Sequence, residues 1–359
     1  MRLALLTEIP APYRTPLFNA LAERVELRVL FLAEQDPRRG YYEQLREERR
    51  FDHRTLAGRQ LRRGGRWIVL SRHVLRELRR FRPDAVAVGG WNQPAFWLAL
   101  VYCRAKRVPL LVWIESTERD ARSESRLLGL ARRAMVRGAS GAYVPGSASA
   151  EYARGLGVEL VVTAPNAIDA EVFERAAVDR AARDSCTFLY VGRLDPEKGV
   201  DTLLDAFAGI DGELVLVGSG RDEARLRAVA PARVRFAGSL DREGVVEEYA
   251  RADVLVLPSR SEPWGMVLNE GAQAGLPLVA TEESGAAHDL VEEGVNGFRV
   301  PAGDVAALRH ALAMLAGDAE LRHSFGARSR ELATRFTPEA WADGVASAAD
   351  RARRRTGRR

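Results

Sequence analysis

Short apolar runs alternate with helical segments along this whole chain, and that alternation leaves little choice of fold. In the first half the runs are Leu3 to Leu6, Glu26 to Leu32, Asp84 to Val88, Leu110 to Ile114, Gly141 to Val144 and Leu160 to Val162, with helices such as Pro16 to Glu23 and Ser71 to Phe81 between them. A second series starts at Thr187 and continues through Leu214 to Val217, Arg233 to Phe236, Val254 to Leu257, Leu278 to Ala280 and Phe298 to Val300. Strands separated by helices lie parallel, with the helices covering both sheet faces. Two series predict an α/β chain of two Rossmann-like domains, residues 1–165 and 166–336. The turn-forming Ala164-Pro-Asn-Ala-Ile-Asp169 marks the boundary, and a last helix spans 337–353.

Composition narrows the class further. With 47% hydrophobic and 29% charged residues among 359, the chain suits a soluble two-domain globule and not a disordered segment. Met1 to Thr7 is too short for a signal-peptide core and is followed at once by Glu8 and two prolines, so it reads as a first strand. The longest apolar run, Pro94 to Cys103, is half the length that spans a bilayer. Cys103 and Cys186 sit far apart in apolar runs and read as buried thiols of a reducing, cytoplasmic compartment. Those two and the five histidines assemble no metal cluster, and there is no Asp-x-Asp motif, so neither metal nor cofactor is expected.

Charge is divided unevenly. Residues 1–165 carry 29 basic against 17 acidic side chains (+12), residues 166–350 carry 19 against 32 (−13), and the tail 351–359 adds six arginines. A basic half beside an acidic half suits a first domain that meets an anionic surface or acceptor, including the inner face of a membrane, while the second handles a soluble ligand. An arginine-rich composition spread over helix faces explains the same counts. Arg59, Arg62, Arg63 and Arg66, set among glycines, read as the most basic loop. The basic residues lack the aromatic interleaving or recognition-helix pattern of a nucleic-acid binder.

Two stretches carry the chemistry. In Leu257 to Ala280 a strand runs into the loop Glu262-Pro-Trp-Gly265, which opens a helix, so Glu262 and Glu270, eight positions apart, face one crevice with free helix N–H groups between them. Such a crevice suits a ligand with hydroxyls at two places and an anion in the middle, as a nucleotide sugar has. In Phe188 to Phe207 a strand ends at Gly192 and a helix begins near Gly199, with Arg193 and Lys198 on the turn. Only Lys106 and Lys198 among 54 basic residues are lysines, so a lysine in that turn suggests a pocket wanting a compact ammonium, as for a phosphate oxygen. The bland readings are a solvated turn lysine, a surface salt bridge for Glu262 and a dipole-favouring carboxylate for Glu270.

These stretches together resemble the family-4 retaining glycosyltransferases with the GT-B fold. The match takes in Gly192-Arg-Leu-Asp-Pro-Glu-Lys-Gly199, Leu214-Val-Leu-Val-Gly-Ser-Gly220, Val234-Arg-Phe-Ala-Gly238, Glu262 to Glu270, Ala274-Gly-Leu-Pro-Leu-Val279, Ser284 to Val291 and Gly294 to Pro301, in order over roughly 150 residues. The resemblance implies two domains facing across a cleft, with the last helix crossing back to the first domain. It implies transfer of a sugar from a nucleotide diphosphate donor, UDP- or GDP-linked, to an acceptor hydroxyl, metal-independent and with retained anomeric configuration, in glycan or polysaccharide synthesis. By the same resemblance, Arg193 and Lys198 hold the diphosphate. Glu262 meets the sugar hydroxyls and Glu270 the ribose. Backbone at Gly192, Gly265, Met266 and Val267 approaches the donor, and Gly218, Gly220 and Leu240 flank the base.

The first domain departs from the family's pattern. Where many members carry a glycine pair in the first strand-to-helix loop, this chain has Pro12, Tyr13 and Arg14, and where many carry a histidine it has Glu115. Tyr13, Arg14, Gly90, Trp91 and Glu115 are therefore expected on the acceptor side, and no catalytic histidine is carried over. Trp264 is either a sugar-stacking face or core packing, and His288 reads as structural. A nucleotide-sugar 2-epimerase of the same fold and a non-catalytic nucleotide-sugar-binding assembly partner are the competing functions.

Overall fold

The computed structural model describes residues 1–35, 48–63, 66–119, 126–176 and 185–357. The first sheet is parallel, in the order β3-β2-β1-β6-β7-β8-β9, built from β1 (Arg2–Thr7), β2 (Glu26–Phe31), β3 (Asp52–Thr55), β6 (Ala85–Val88), β7 (Leu110–Trp113), β8 (Gly141–Val144) and β9 (Val161–Thr163). Its inner strands β1, β6, β7 and β8 are apolar on both faces because both are covered. Ala4 and Leu6 pack into one core with Phe96 and Met135, while Leu3 and Leu5 pack into another with Phe18 and Tyr143. The second sheet is also parallel, in the order β12-β11-β10-β13-β14-β15: β10 (Thr187–Val191), β11 (Glu213–Val217), β12 (Val234–Gly238), β13 (Val254–Leu257), β14 (Leu278–Thr281) and β15 (Gly297–Val300).

Both sheets reverse their strand order in the middle. β1 lies between β2 and β6, and β10 between β11 and β13, so the loops leaving β1 and β6, and those leaving β10 and β13, open a crevice beyond the strand ends. The fold is GT-B, as the strand pattern and the resemblance led us to expect.

The chain's last helix, α14 (Pro338–Thr356), returns to the first sheet. Thr337 caps it, its hydroxyl accepting the amide of Ala340 at 3.2 Å. Trp341, Ala342, Val345, Ala348, Ala349 and Ala352 recur at helical spacing and are buried against Leu3, Leu5, Phe18 and Tyr143. The Trp341 ring lies 5.5 Å from that of Trp113 and 5.8 Å from that of Phe18.

The sequence reading needs one correction. Arg59, Arg62, Arg63 and Arg66, read as a basic loop, lie on two paired antiparallel strands, β4 (Arg59–Arg63) and β5 (Arg66–Leu70). The overlooked signal is the alternation in Trp67-Ile-Val69, which turns Trp67 and Val69 into the first core. The Gln93 carboxamide then locks the strand pair down, its oxygen accepting the amide of Val69 at 3.0 Å and its nitrogen donating to the Trp67 carbonyl at 3.0 Å. Boundaries move slightly elsewhere: the second long helix, α2, runs His73–Phe81, and the closing helix extends to Thr356. Cys103 and Cys186 are buried free thiols.

Candidate active site

Glycine backbone sets the second-domain wall. Gly218, at φ 127°, follows β11 so closely on the loop after β10 that a Cβ would lie 1.9 Å from the Gly192 carbonyl oxygen. A Cβ on Gly220 would lie 2.3 Å from the Leu194 carbonyl oxygen. The amide of Leu194 donates to the Ser219 carbonyl at 2.9 Å, so the two loops advance as one unit. The loop after β13 is stitched to the same unit, because the Arg260 amide donates to the Glu197 carbonyl at 2.8 Å and its guanidinium to the Pro196 carbonyl at 2.8 Å.

This stitching brings Lys198 and Glu262, sixty-four positions apart, into a direct ion pair in which each side chain is about 15% exposed. Gly265, at φ 97°, then turns the chain into α10 (Met266–Gln273), where a Cβ would meet Leu257 at 2.8 Å. Glu270 stands one turn into that helix and accepts the Tyr249 hydroxyl at 2.7 Å. Burial pushes the Glu270 carboxyl above its ordinary range, against the opposing pull of the Tyr249 hydrogen bond and the Arg242 charge. When ionised, a carboxylate that accepts one hydrogen bond has lone pairs left for ligand hydroxyls.

Arg193 is engaged differently. Its guanidinium pairs with Asp195 and, at 2.9 Å, with Glu197, and it remains 61% exposed. Burial alone would raise the Asp195 carboxyl, but the Arg221 amide and the Arg193 and Arg221 guanidinium groups more than offset it and hold the carboxyl below its ordinary range. Leu240 is exposed beside the Ser219 and Ser239 hydroxyls, which lie 2.9 Å apart. Trp264 is core packing: it is buried, its indole N–H donates to Asn269 at 2.8 Å, and its ring lies 6.2 Å from Phe336. His288 is held through Nε2 at 2.8 Å from the Glu282 carbonyl oxygen.

The first-domain wall is built from side chains. Arg14 is half-buried, donates to the Thr7 hydroxyl at 2.9 Å, pairs with Glu115 at 3.4 Å and stacks over Trp113 with its guanidinium carbon 4.3 Å from the ring centre. Burial lowers its pKa, but the charges of Tyr13 and Glu115 outweigh burial and leave the guanidinium above its ordinary value. Tyr13 is exposed beside it. Gly90, at φ 141°, and the half-buried Trp91 form the loop after β6, where the Trp91 carbonyl accepts the Trp97 indole N–H at 3.0 Å. Asn92 and Gln93 both donate to Glu8 at 2.8 Å.

Sequence reasoning missed the residues that tie the walls together. The Asn166 amide donates to Glu115 at 3.1 Å, and its carbonyl accepts the Asn269 amide at 2.9 Å, so a polar chain runs from Arg14 to the helix that carries Glu270. Asp289 accepts the Ser147 amide at the start of α5 (Ser147–Gly155), from the opposite domain, at 2.9 and 3.1 Å. The prolyl turn at Asn166 was visible only as a boundary. The long-range partners of Asp289 and Tyr249 leave no local pattern.

Comparison with known proteins bears on the family and the fold. The model described as glycosyl transferases group 1 matches residues 174–332, and that described as Glycosyltransferase Family 4 matches residues 17–172. The chain is 35% identical to a phosphatidyl-myo-inositol mannosyltransferase of Mycobacterium leprae over 53% of its length and 50% of that protein's. It is 33% identical to a glycogen synthase of Mycobacterium tuberculosis over 70% of its length and 65% of that protein's. The chain thus spans about half to two thirds of the length of these relatives. Among solved structures, HepE of Anabaena in complex with UDP superposes with a TM-score of 0.78 at 19% identity, covering 98% of this chain and 100% of that one. Sucrose-phosphate synthase of Thermosynechococcus elongatus does so with 0.74 at 22%, covering 98% of each.

Proposed function

The chain belongs to the family-4-like glycosyltransferases, and from that premise we propose that it moves a sugar from a nucleoside diphosphate sugar to an acceptor hydroxyl with retained anomeric configuration. The observation that carries this reading is the Lys198–Glu262 pair beyond the switch point of the second sheet, with Glu270 one turn into the helix that follows Glu262. In the resting site the two charges neutralise each other. A donor diphosphate takes the ammonium of Lys198, which frees the Glu262 carboxylate to accept hydroxyls of the sugar. The pair is thus exchanged for two ligand contacts, an ion pair to Lys198 and hydrogen bonds to Glu262.

Arg193 reaches the same diphosphate by leaving Asp195 and Glu197, both of which keep an ion pair to Arg221. As the bond from the anomeric carbon to the phosphate oxygen breaks, negative charge builds on that oxygen, where Lys198 and Arg193 stabilise it without a metal ion. The acceptor hydroxyl attacks the same face and gives its proton to the departing phosphate oxygen, so no protein nucleophile takes part. Glu270 accepts the ribose hydroxyls, and the exposed Leu240 and the Gly218–Gly220 backbone flank the base. Tyr13, Trp91 and the Arg14–Glu115 pair face the acceptor.

UDP and GDP are the first nucleotides to try: HepE was solved in complex with UDP, and one relative, 37% identical over 115 residues, is a GDP-mannose-dependent alpha-mannosyltransferase. A cell-surface polysaccharide, lipid-linked glycan or glycoconjugate suits a first half carrying twelve net positive charges, which also favours peripheral contact with an anionic membrane. Among the described residues no helix is long and apolar enough to cross a membrane. Proton NMR of the product formed from an α-linked donor tests the stereochemistry: an α-linked product is expected, and a β-linked one would overturn the retaining assignment.

A further inference from the structure

At the opposite edge of the first sheet, where strands begin, lies a second cavity of about 650 Å³, within the range of small-ligand sites. It is lined by Leu110 and Gly141 at the starts of β7 and β8, by Glu159 ahead of β9 and by the end of α14. The crevice loops leave the other ends of the strands, so this cavity shares none of their residues. Its floor is apolar, formed by Val108, Val136 and Val158, and its rim carries Arg104, Arg107, Arg137 and Arg355.

Arg355 faces Glu159 at 3.8 Å. Among the described residues, the guanidinium groups of Arg104, Arg107 and Arg137 have no ion-pair partner and donate no hydrogen bond. Helices of this sheet end here, so a cation near each carbonyl end is expected on dipole grounds. Two features exceed that account. Arg107 holds a left-handed backbone, φ 54°, at a helix-ending position that glycine fills at no steric cost. Gly138 lets Leu100 and the Arg104 guanidinium lie close against its helix end, where a Cβ would sit 2.9 Å from Leu100 and 3.2 Å from the Arg104 nitrogen.

We propose that this cavity binds an organic phosphate, its phosphoryl oxygens held by Arg104, Arg107 and Arg137 and its carbon body lying over the three valines. Guanidinium forks match phosphate geometry, and three of them around one concavity serve a dianion better than a monovalent anion. The source is either a soluble phosphate ester or a phosphorylated lipid headgroup. This inference does not depend on the donor crevice.

Phenyl phosphate supplies the chemistry in its smallest form. Calorimetric titration in a Lys198→Ala background, which removes the crevice as a competing site, is expected to show one binding event. Arg104→Gln with Arg137→Gln should weaken that event at least tenfold, and Thr356→Trp, which fills the cavity from its rim without changing charge, should weaken it similarly. Arg79→Gln with Arg80→Gln, an equal loss of charge on α2, should leave it unchanged. Co-sedimentation with phosphatidic acid vesicles that follows the same pattern of variants, when phenyl phosphate gives no heat, assigns the lipid source. No binding of either probe, or equal weakening by the α2 pair, overturns the proposal.

Discussion

The two walls of the crevice are made in different ways. The second-domain wall is backbone: glycines at 218, 220 and 265 let three loops touch, and side chains such as Lys198 and Glu262 only finish what the main chain positions. The first-domain wall is a partly buried side-chain network, Arg14 with Thr7, Glu115 and Trp113, carried across the boundary by Asn166. Backbone contact tolerates no added atom, whereas a side-chain network can be rebuilt residue by residue. The difference teaches why the first wall departs from the family pattern while the second keeps it.

The largest test of this contrast is catalytic. Lys198→Ala should lower kcat/KM by roughly 10² to 10³, the usual effect of removing one donor aimed at developing charge. Arg14→Met should act mainly through the acceptor and leave donor binding within about threefold, about 0.7 kcal/mol. Steady-state kinetics with donor and acceptor varied separately reads both, and equal loss of donor affinity in the two variants would erase the distinction. Next comes Gly218→Ala, which forces a Cβ into the Gly192 carbonyl at a positive φ. It should cost roughly 3 kcal/mol in urea unfolding. Arg14→Met removes one partner of a partly buried pair and should cost about 2 kcal/mol, partly recovered by Glu115→Gln in the same chain.

The smallest effect sharpens the comparison through pH. Asp195 titrates below its ordinary 3.8, so its contribution to stability is present above 3.8 and is lost as pH falls through the lowered value. Asp289, at the contact between domains, is raised above 3.8 by burial, against the Ser147 hydrogen bonds. Its contribution has the opposite sign: stability falls as pH rises from 3.8 through the raised value. Asp195→Asn should therefore flatten the acid limb of the stability profile, and Asp289→Asn should remove a decline just above it. Thermal melts between pH 3 and 7 follow both, and matching changes in the two variants would refute the assigned signs.

What was legible beforehand follows the same division. Short apolar runs alternating with helical segments revealed both sheets, Glu262 and Glu270 stood out because strand-loop-helix spacing is local, and Lys198 stood out because lysine is so rare in this chain. The ion pair between Lys198 and Glu262 was hidden, since it depends on Gly199 and Arg260 packing two loops together. Trp264 was ambiguous because an aromatic residue in a loop reads alike whether it stacks on a ligand or, as here, donates to Asn269 in the core. The strand pair within Arg59 to Leu70 was misread because its arginines masked the alternation of Trp67 and Val69. Arg14, Glu115 and Asn166 come from three separate loops, and nothing in their neighbouring residues records that they meet.

The most direct test of the central claim, that Lys198 and Glu262 exchange their mutual pair for a donor diphosphate, is nucleotide binding. Thermal melts of the wild type and of Lys198→Ala with UDP, GDP, ADP and dTDP at about 100 times the dissociation constant should show one nucleotide adding about 2.7 kcal/mol, near 5 °C or more, to the wild type alone. An equal shift in Lys198→Ala would contradict the account, because the diphosphate would then be held without the ammonium on which the site is built.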